Sequence, residues 1–452
     1  MSTTIAAIST PLGEGGIGTV RISGDDARAV ADRVFRAKGG KKIKDALGYT
    51  ALFGAVYDGD TLLDEAVALI FAAPKSYTGE DVVELSTHGG VYITRALLRA
   101  SIAAGATLAA PGEFTRRAWE NGKMDLSAAE SVMALISANG EQELKMALAA
   151  KTGRVHREIE KIKEELLAVS AAMAVFADYP DEDLPEADEQ NVKEKLLSVK
   201  AALSRLLLGF DAGKIIREGI STAIIGAPNV GKSTLMNMLS GDERSIVTDK
   251  AGTTRDVVEE TVRVGDLRLR LADTAGLHET EDEVEAIGVD LAFKRAAEAQ
   301  LILAVFDGSR PMDNNDRRIL ELIRDKCAVA VVNKTDKPIV IDLEEFAPLS
   351  PVLISAREGT GSEELKSAII NASGVANLKS DVAVLITERQ RQCACRAYDS
   401  VCEALSAMET GFTLDAIDIC ADEALSALLS LSGERVTEAV ADEVFSRFCV
   451  GK

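Results

Sequence analysis

The sequence lacks several features that would place a chain in a membrane or send it out of the cell. No stretch of its 452 residues approaches the roughly 20 uninterrupted apolar residues that a membrane span needs. The first residues, MSTTIAAISTPLGEGG, lack the basic start and the long apolar core of a signal peptide. We therefore expect a cytoplasmic protein.

Cysteine is scarce, and basic residues are outnumbered. The six cysteines show no paired CxxC spacing, and the expected cytoplasmic location argues against disulfides. We expect the first five to be small buried apolar residues. The 72 acidic residues exceed the 51 basic ones, which gives a net charge of −21 and opposes diffuse binding to nucleic acid. Any contact with RNA must use a local basic patch or a basic partner.

Hydrophobic periodicity divides the chain into three kinds of segment. From Ser221 onward, short apolar runs alternate with amphipathic stretches, which predicts a doubly wound parallel sheet. Alternating runs on both sides of Gly265 and Asp266 predict a hairpin that adds one antiparallel edge strand. The Ala- and Leu-rich flanks, residues 127–214 and 381–448, have helical periodicity and predict one helical domain into which the sheet domain is inserted. Residues before about 120 predict a separate α+β domain, with strands at GTVRISG, EAVALIFAAP and EDVVELSTHGG and a helix at VYITRALLRASIAAG.

One stretch, GAPNVGKS at residues 226–233, fits the pattern GxxxxGK[ST] between an apolar strand and a helix. The N–H groups of such a loop and the helix N-terminus bind phosphates. Lys232 is placed to reach the β and γ oxygens, and the Ser233 hydroxyl to ligate magnesium. The stretch predicts a nucleotide phosphate site.

Three further motifs follow in order. Thr254, in AGTTRD, can supply a second hydroxyl to magnesium, while Asp273 can hold the magnesium shell and the Gly276 N–H can meet the γ-phosphate. The Asp336 carboxylate, in NKTD, can accept from the two N–H groups of guanine that adenine does not offer. Ser355 and Ala356 can direct a backbone N–H at the guanine oxygen. Together the four motifs predict an α/β P-loop GTPase domain of the Ras-like type.

The residue after Asp-x-x-Gly is Leu277, where GTPases of the Ras type usually have a glutamine that orients the attacking water. A leucine side chain can neither donate nor accept a hydrogen bond. If the chain hydrolyses GTP, another group must therefore position the water.

The chain resembles the TrmE/MnmE family of tRNA-modification GTPases along its whole length. The residues that carry the resemblance are GGIGTVRISG (15–24), SYTGEDVVELSTHGG (76–90), PGEFTRRAWENGKMDLSAAE (111–130), GAPNVGKSTLMN, VTDKAGTTRD, DTAGLHETEDEVEAIG, NKTD and FCVGK. The resemblance implies an α+β folate-binding and dimerisation domain (1–120), an all-α helical domain in two parts (121–214 and 376–452) and an inserted GTPase domain (215–375).

The resemblance also implies how the water is positioned. Two GTPase domains meet around the nucleotide, and a potassium ion supplies positive charge there, while Glu285 orients the water through a bridging water. By similarity the potassium ligands are Asn229, Thr248, Lys250 and Thr253, and the magnesium ligands are Ser233 and Thr254. The residues expected to bind GTP are Asn229, Val230, Gly231, Lys232, Ser233, Thr234, Thr248, Asp249, Lys250, Ala251, Gly252, Thr253, Thr254, Asp273, Thr274, Ala275, Gly276, Asn333, Lys334, Asp336, Ser355, Ala356 and Arg357.

A second site is implied for 5,10-methylene- or 5-formyl-tetrahydrofolate. By position, its contacting residues are Arg21, Glu84, Lys123 and Lys452. The family places the tail FCVGK near the folate, so Cys449 is a candidate catalytic residue, and both covalent chemistry and simple packing remain open for its thiol. For His88, in THGG, we favour a structural role in a turn over a catalytic one.

The function implied is GTP-dependent modification of the wobble uridine of certain tRNAs by a homodimer acting with a flavin-containing partner of the GidA/MnmG family. An aminomethyl or carboxymethylaminomethyl group is attached at carbon 5, with its methylene carbon from tetrahydrofolate. The GxGxxG spacing of Gly13, Gly15 and Gly18 precedes the strand-like run GTVRISG and not a helix, so it is not a dinucleotide fingerprint, and the flavin is expected on the partner. Two alternatives are an RNA- or ribosome-associated switch GTPase and a stand-alone folate-dependent transferase with a regulatory GTPase insert.

Overall fold

The computed structural model describes residues 3–138, 140–178, 186–240, 260–265, 267–271, 296–374, 383–410 and 414–452. The chain forms two compact units. The first comprises Met1–Ile136, Ala150–Leu203 and Thr387–Lys452, and the second comprises Ser137–Ala149 and Ser204–Ile386. The finer domain boundaries expected from the sequence stay predictions.

The first unit contains a seven-stranded sheet in the order β3-β4-β5-β6-β2-β1-β7. Its strands are β1 (Ile5–Ile8), β2 (Gly15–Ser23), β3 (Phe35–Ala37), β4 (Thr50–Asp58), β5 (Thr61–Phe71), β6 (Val82–Gly89) and β7 (Thr107–Leu108). Neighbouring strands are antiparallel except β1 and β7, which run parallel. The strand runs predicted in this part of the sequence are confirmed as β2, β5 and β6.

One face of this sheet is covered by two helices, α1 (Ala27–Val34) and α2 (Val91–Ala103). The sequence of β5 alternates accordingly, because Ala66, Ala68 and Ile70 are buried under the helices while Val67 and Leu69 lie on the opposite face. The helix predicted from VYITRALLRASIAAG is confirmed as α2.

The other helical segments with residues in the first unit are α3 (Glu113–Glu120), α4 (Leu126–Ser137), α5 (Glu141–Lys151), α6 (Arg154–Asp178), α7 (Glu186–Glu218), α11 (Glu388–Thr410), α12 (Leu414–Ser432) and α13 (Glu438–Ser446), of which α4, α5 and α7 continue into the second unit. The buried Glu130 of α4 joins distant parts of this set, because it accepts from Arg389 Nε at 2.8 Å and from Arg389 Nη2 at 2.9 Å. The predicted helical character of both flanks is confirmed.

The second unit contains a six-stranded sheet in the order β13-β12-β11-β8-β10-β9. Its strands are β8 (Ile220–Ile225), β9 (Glu260–Val264), β10 (Leu267–Leu271), β11 (Leu301–Asp307), β12 (Ala328–Asn333) and β13 (Val352–Leu353), with helices α8 (Lys232–Ser240), α9 (Asn314–Ile323) and α10 (Ser362–Ala372). All neighbours are parallel except β9 and β10. The predicted doubly wound sheet and its antiparallel edge hairpin are confirmed.

Two observations concern the expectations from composition. Within the described ranges, every helix is too short or too polar to cross a membrane. Of the first five cysteines, all expected to be buried, Cys393 is buried, Cys395, Cys402 and Cys420 are only partly buried, and the expectation is wrong for Cys327, which is exposed. Cys327 lies in the short connection between α9 and β12, where its thiol reaches the Ala372 carbonyl oxygen instead of the sheet core.

Candidate functional site

The carboxyl ends of three parallel strands of the second unit carry predicted nucleotide motifs. The P-loop follows β8, NKTD begins with the last residue of β12, and Ser355 and Ala356 follow β13. At Gly226 the chain passes so close to β11 that a Cβ atom would lie under 3.0 Å from the Val305 carbonyl oxygen. The glycine is therefore required by close packing of the loop against the strand.

Lys232 lies at the start of α8 with its ammonium inside the loop. Its Nζ donates to the carbonyl oxygens of Gly226 and Ala227, each at 2.9 Å. Burial lowers the pKa of Lys232 below its ordinary value. Neutral carbonyl acceptors bind an ammonium more weakly than anionic oxygens do, so a phosphate can replace them. Ser233 and Thr234 are exposed in the same first turn of α8.

Asn333 joins the P-loop to the loop after β13. Its Nδ2 donates to the Val230 carbonyl oxygen at 2.8 Å, and its Oδ1 accepts from the Ala356 N–H at 2.9 Å. Asn333 and Ala356 are buried. Close approach is possible because residue 231 is a glycine. The two loops that sequence analysis assigned to phosphate and base are thus held together by one amide side chain.

Asp336, the residue predicted to recognise the base, is exposed and is oriented by a hydrogen bond from Ser355. The Ser355 hydroxyl donates to Asp336 Oδ1 at 2.8 Å. The Thr335 N–H donates to the Ile354 carbonyl oxygen at 3.1 Å, which holds the two loops side by side. A carboxylate so fixed can accept the paired N–H groups of guanine through its remaining lone pairs. Arg357, the last predicted residue of this loop, is exposed.

Lys334 contacts a residue that sequence analysis missed. Its Nζ donates to the Asn229 carbonyl oxygen at 2.7 Å and to Asp307 Oδ2 at 2.6 Å. Asp307 ends β11, whose residues are all buried. A signal was available, because an acidic residue that closes an apolar run at the carboxyl end of a parallel strand falls at the ligand-binding edge.

Several predicted residues lie outside the described part of the chain. These are Thr248, Asp249, Lys250, Ala251, Gly252, Thr253, Thr254, Asp273, Thr274, Ala275, Gly276, Leu277 and Glu285. The roles given to them in binding potassium and magnesium and in positioning water stay predictions.

A second group of predicted residues meets on the sheet of the first unit. Arg21 of β2 and Glu84 of β6 are directly opposite in register, and Arg21 Nε donates to Glu84 Oε1 at 2.8 Å. Arg21 Nη1 also donates to the Gly451 carbonyl oxygen at 3.2 Å, and its guanidinium lies over the Tyr77 and Phe114 rings. Arg21 is therefore held from several sides.

The tail that ends in Lys452 docks beside this pair. The Phe114 N–H, at the start of α3, donates to the main-chain oxygen of Lys452 at 3.2 Å. Burial and then the positive charge of Arg21 lower the pKa of the Lys452 ammonium. Cys449 is exposed. Lys123, the fourth residue predicted to bind folate, makes a different contact: its Nζ donates to the Pro74 carbonyl oxygen at 2.9 Å.

His88 is paired with Asp64 at the end of β6. The ring Nδ1 of His88 lies 2.9 Å from Asp64 Oδ1, and the backbone N–H of His88 donates to Asp64 Oδ2 at 2.9 Å. The hydrogen bond from the ring and the charge of Asp64 raise the pKa of His88. Because Asp64 belongs to β5, the pair ties the end of β6 to its neighbour strand.

A parallel sheet with a GxxxxGKS loop and an NKxD loop at one edge defines the P-loop GTPase class. Two family models match the chain: the MnmE helical domain over residues 126–449 and the GTP-binding protein TrmE N-terminus over residues 4–123. The chain belongs to the MnmE family of tRNA modification GTPases, which confirms the resemblance.

Individual relatives agree with this assignment. The chain is 39% identical to proteins named tRNA modification GTPase MnmE from Acetivibrio thermocellus and from Geobacter sulfurreducens, and each match covers 99% of both chains. A crystal structure of an Aquifex aeolicus Era variant bound to GDP and AlF4⁻ is 28% identical, covering 40% of this chain and 66% of that one with a TM-score of 0.25.

Proposed function

We propose that the chain is a potassium-dependent GTPase that modifies carbon 5 of the wobble uridine of certain tRNAs. It acts with a flavin-containing partner of the GidA/MnmG family, and the attached aminomethyl or carboxymethylaminomethyl group takes its methylene carbon from tetrahydrofolate. The observation that carries the GTPase part is Asn333, whose amide links the P-loop to the loop that faces guanine. Phosphate and base recognition are thereby joined in one rigid arrangement.

Each residue of the nucleotide site has a separate task in this proposal. Lys232 and the N-terminus of α8 hold the phosphates, and Asp336 selects guanine. The exposed hydroxyl of Ser233 fits magnesium, whose preferred ligands are oxygen atoms. Ser233 would hold a magnesium ion there, and the ion would offset the negative charge of the phosphates. Glu285 is proposed to orient the water, because Leu277 offers no hydrogen bond.

The potassium proposal is supported by the conformation of Asn229. Its backbone is left-handed, with φ +61°, and its carbonyl is held by Lys334, so the exposed Asn229 side chain starts from a fixed position. An amide oxygen is a suitable ligand for a hard cation. A cation beside the phosphates offsets charge that develops in the transition state.

We expect GTP hydrolysis to be considerably faster in potassium chloride than in sodium chloride. The reason is that a cage of fixed oxygen atoms, which Asn229 helps to form, favours one ionic radius over another. Initial rates at equal ionic strength, with magnesium and GTP held constant, measure the effect. Equal rates in the two salts would contradict the potassium account.

The folate proposal is supported by the group formed by Arg21, Glu84 and the docked tail. The second carboxylate oxygen of Glu84 can accept from amino and ring N–H groups of a pterin, and Lys452 can meet a carboxylate of the glutamate tail. Arg21 acts mainly by holding Glu84 and the Gly451 carbonyl oxygen in place. The thiol of Cys449 is accessible from solvent, which is compatible with chemistry or with packing against a ligand.

Gly451→Ala is expected to weaken folate binding by about tenfold, with GTP binding unchanged. Gly451 has φ +95°, and a Cβ atom would lie under 3.0 Å from the Ile8 carbonyl oxygen, so the tail must move away from Arg21. Titration of tetrahydrofolate by fluorescence measures the loss. Gly40→Ala is the matched control, because Gly40 also has a positive φ, +70°, but a Cβ there meets nothing within 4 Å. Wild-type affinity for tetrahydrofolate in the Gly451→Ala variant would show that the tail is not part of the folate site.

Homodimerisation is proposed through the part of the first sheet that β4 and β5 expose on the face opposite α1 and α2. Phe53 lies opposite Val67, and Leu69 lies opposite Glu84, so an apolar strip runs up to the Arg21 and Glu84 pair. These three apolar side chains are 50%, 37% and 36% exposed, respectively. A second copy of this chain would cover the strip and border the folate site.

The whole proposal is tested by nucleoside analysis of tRNA from cells that lack the protein. We expect the wobble uridine to lose its aminomethyl-type group and to regain it when the wild-type chain is restored. Unchanged nucleosides would favour the alternative of a switch GTPase that acts on RNA or the ribosome without modification chemistry.

A further inference from the structure

Asp307 is nearly buried at the carboxyl end of β11, and its carboxylate is engaged on both oxygens. Its side chain keeps 10% of its accessible surface. Oδ1 accepts from the Ser309 N–H at 2.9 Å and from the Ser309 hydroxyl at 2.7 Å. Oδ2 accepts from Lys334 Nζ at 2.6 Å. The carboxylate therefore has one orientation, and that orientation determines where the Lys334 ammonium lies.

Lys334 carries this restraint to the P-loop. The same ammonium donates to the Asn229 carbonyl oxygen at 2.7 Å. Lys334 and Asn229 both have left-handed backbones, with φ +68° and +61°. Side-chain-bearing residues are uncommon in this region and stay there only when their neighbours hold them. The hydrogen bond from Lys334 is one of the contacts that hold Asn229.

We propose that Asp307 is a positioning residue of the nucleotide site, which acts through Lys334 to hold the P-loop backbone at Asn229. The proposal rests on the GTPase function above and adds a residue that lies outside all four nucleotide motifs. Lysine has a flexible four-carbon stem and a freely rotating ammonium. Without Asp307, Lys334 would sample other acceptors, and the P-loop would lose a side-chain hydrogen bond from the NKTD segment that acts beside the one from the Asn333 amide.

The charge state of the pair agrees with this role. Burial alone would raise the pKa of Asp307, but the hydrogen bonds from Lys334 and Ser309 outweigh it, and the pKa lies below its ordinary value. The carboxylate is therefore ionised at neutral pH. A hydrogen bond between an ammonium and a carboxylate is about twice as strong as one between neutral groups, so Asp307 is a firmer anchor for Lys334 than a carbonyl would be.

A double-mutant cycle tests the route through Lys334. Affinity for a fluorescent GDP derivative is measured for wild type, Asp307→Asn, Lys334→Ala and the double variant. Asp307→Asn is expected to weaken binding by ~10-fold in the wild-type background. In the Lys334→Ala background it should cause no further loss, because the lysine through which it acts is gone. Equal losses in both backgrounds, or wild-type affinity for Asp307→Asn, would overturn the proposal.

Asp316→Asn is the matched control for loss of a buried carboxylate. Asp316 is 1% exposed, pairs with Arg310 at 2.8 Å and belongs to the capping box of α9. The substitution Asp316→Asn should lower the melting temperature and leave nucleotide affinity unchanged. A loss of affinity there as large as in Asp307→Asn would assign both effects to general destabilisation and overturn the proposal.

Ser309→Ala keeps the test decisive if Asp307→Asn does not fold. It removes one hydrogen bond from Asp307 Oδ1 and keeps the charge. We expect a loss of about two- to threefold in affinity in the wild-type background and none with Lys334→Ala, whereas equal losses would overturn the proposal. Binding of GDP needs neither potassium nor hydrolysis, so equal rates in the two salts would count against the proposed function and not against Asp307.

Discussion

Gly231→Ala is expected to lower GTP affinity by at least about 100-fold. Gly231 has φ +98°, and a Cβ atom there would lie under 3.0 Å from Asn333 Nδ2. The strain of a left-handed alanine costs ~1–2 kcal/mol. Displacing Asn333 also breaks its hydrogen bonds with Val230 and Ala356, and each buried group left unpaired costs ~1–3 kcal/mol. Isothermal titration with GTP measures the loss.

A second glycine in the same unit separates strain from the loss of Asn333. Gly374, just beyond α10, has φ +73°, but a Cβ atom there meets nothing within 4 Å. Gly374→Ala therefore introduces similar backbone strain far from Asn333, and GTP affinity should stay at the wild-type value. Wild-type affinity for Gly231→Ala would show that the Asn333 link is dispensable for binding.

Glu130→Ala is expected to destabilise the first unit by ~3–5 kcal/mol, because it leaves a buried charge without its partner. Glu130 is 6% exposed and accepts from Arg389 through both of its oxygens. It also accepts from the Thr387 hydroxyl at 3.1 Å and from Gln390 Nε2 at 2.5 Å. These contacts fasten the chain where it re-enters the first unit. Thermal unfolding and hydrogen exchange of α4 and α11 measure the effect.

Glu443→Ala is the control for Glu130→Ala. Glu443 pairs with Arg447 one helical turn away, and both side chains are well exposed, at 66% and 75%. Solvent screens such pairs, so the melting temperature should change little. If Glu130→Ala had the same melting temperature as Glu443→Ala, the buried cluster around Glu130 would have no part in holding the helices together.

Much of the nucleotide site could be predicted because its motifs are local. A run of apolar residues followed by GAPNVGKS already specifies a strand, a loop that binds phosphates and a helix that begins at Lys232. NKTD follows another apolar run in the same way. The edge hairpin was predictable too, since alternation on both sides of Gly265 needs only short-range information.

The contacts that orient these motifs could not be predicted. Nothing adjacent to Lys334 in the sequence indicates Asp307, which is 27 residues away, because the pair forms only when β11 and β12 lie side by side in register. Arg21 and Glu84 were each predicted as folate ligands, but their ion pair depends on the pairing of β2 with β6. Cys327 was predicted to be buried from its residue type but is exposed, because it lies in a connection outside the sheet core.

The sequence by itself determined the class of each segment, the order of the nucleotide motifs and the family, since periodicity, glycine placement and short motifs are properties of neighbouring residues. Only the tertiary structure decided which distant side chains hold those motifs in place. Glu130 and Arg389 are 259 residues apart, and Arg21 reaches a carbonyl 430 residues away. Such contacts depend on helix packing and on strand register, and a shift of one residue in strand register turns a side chain to the opposite face of the sheet.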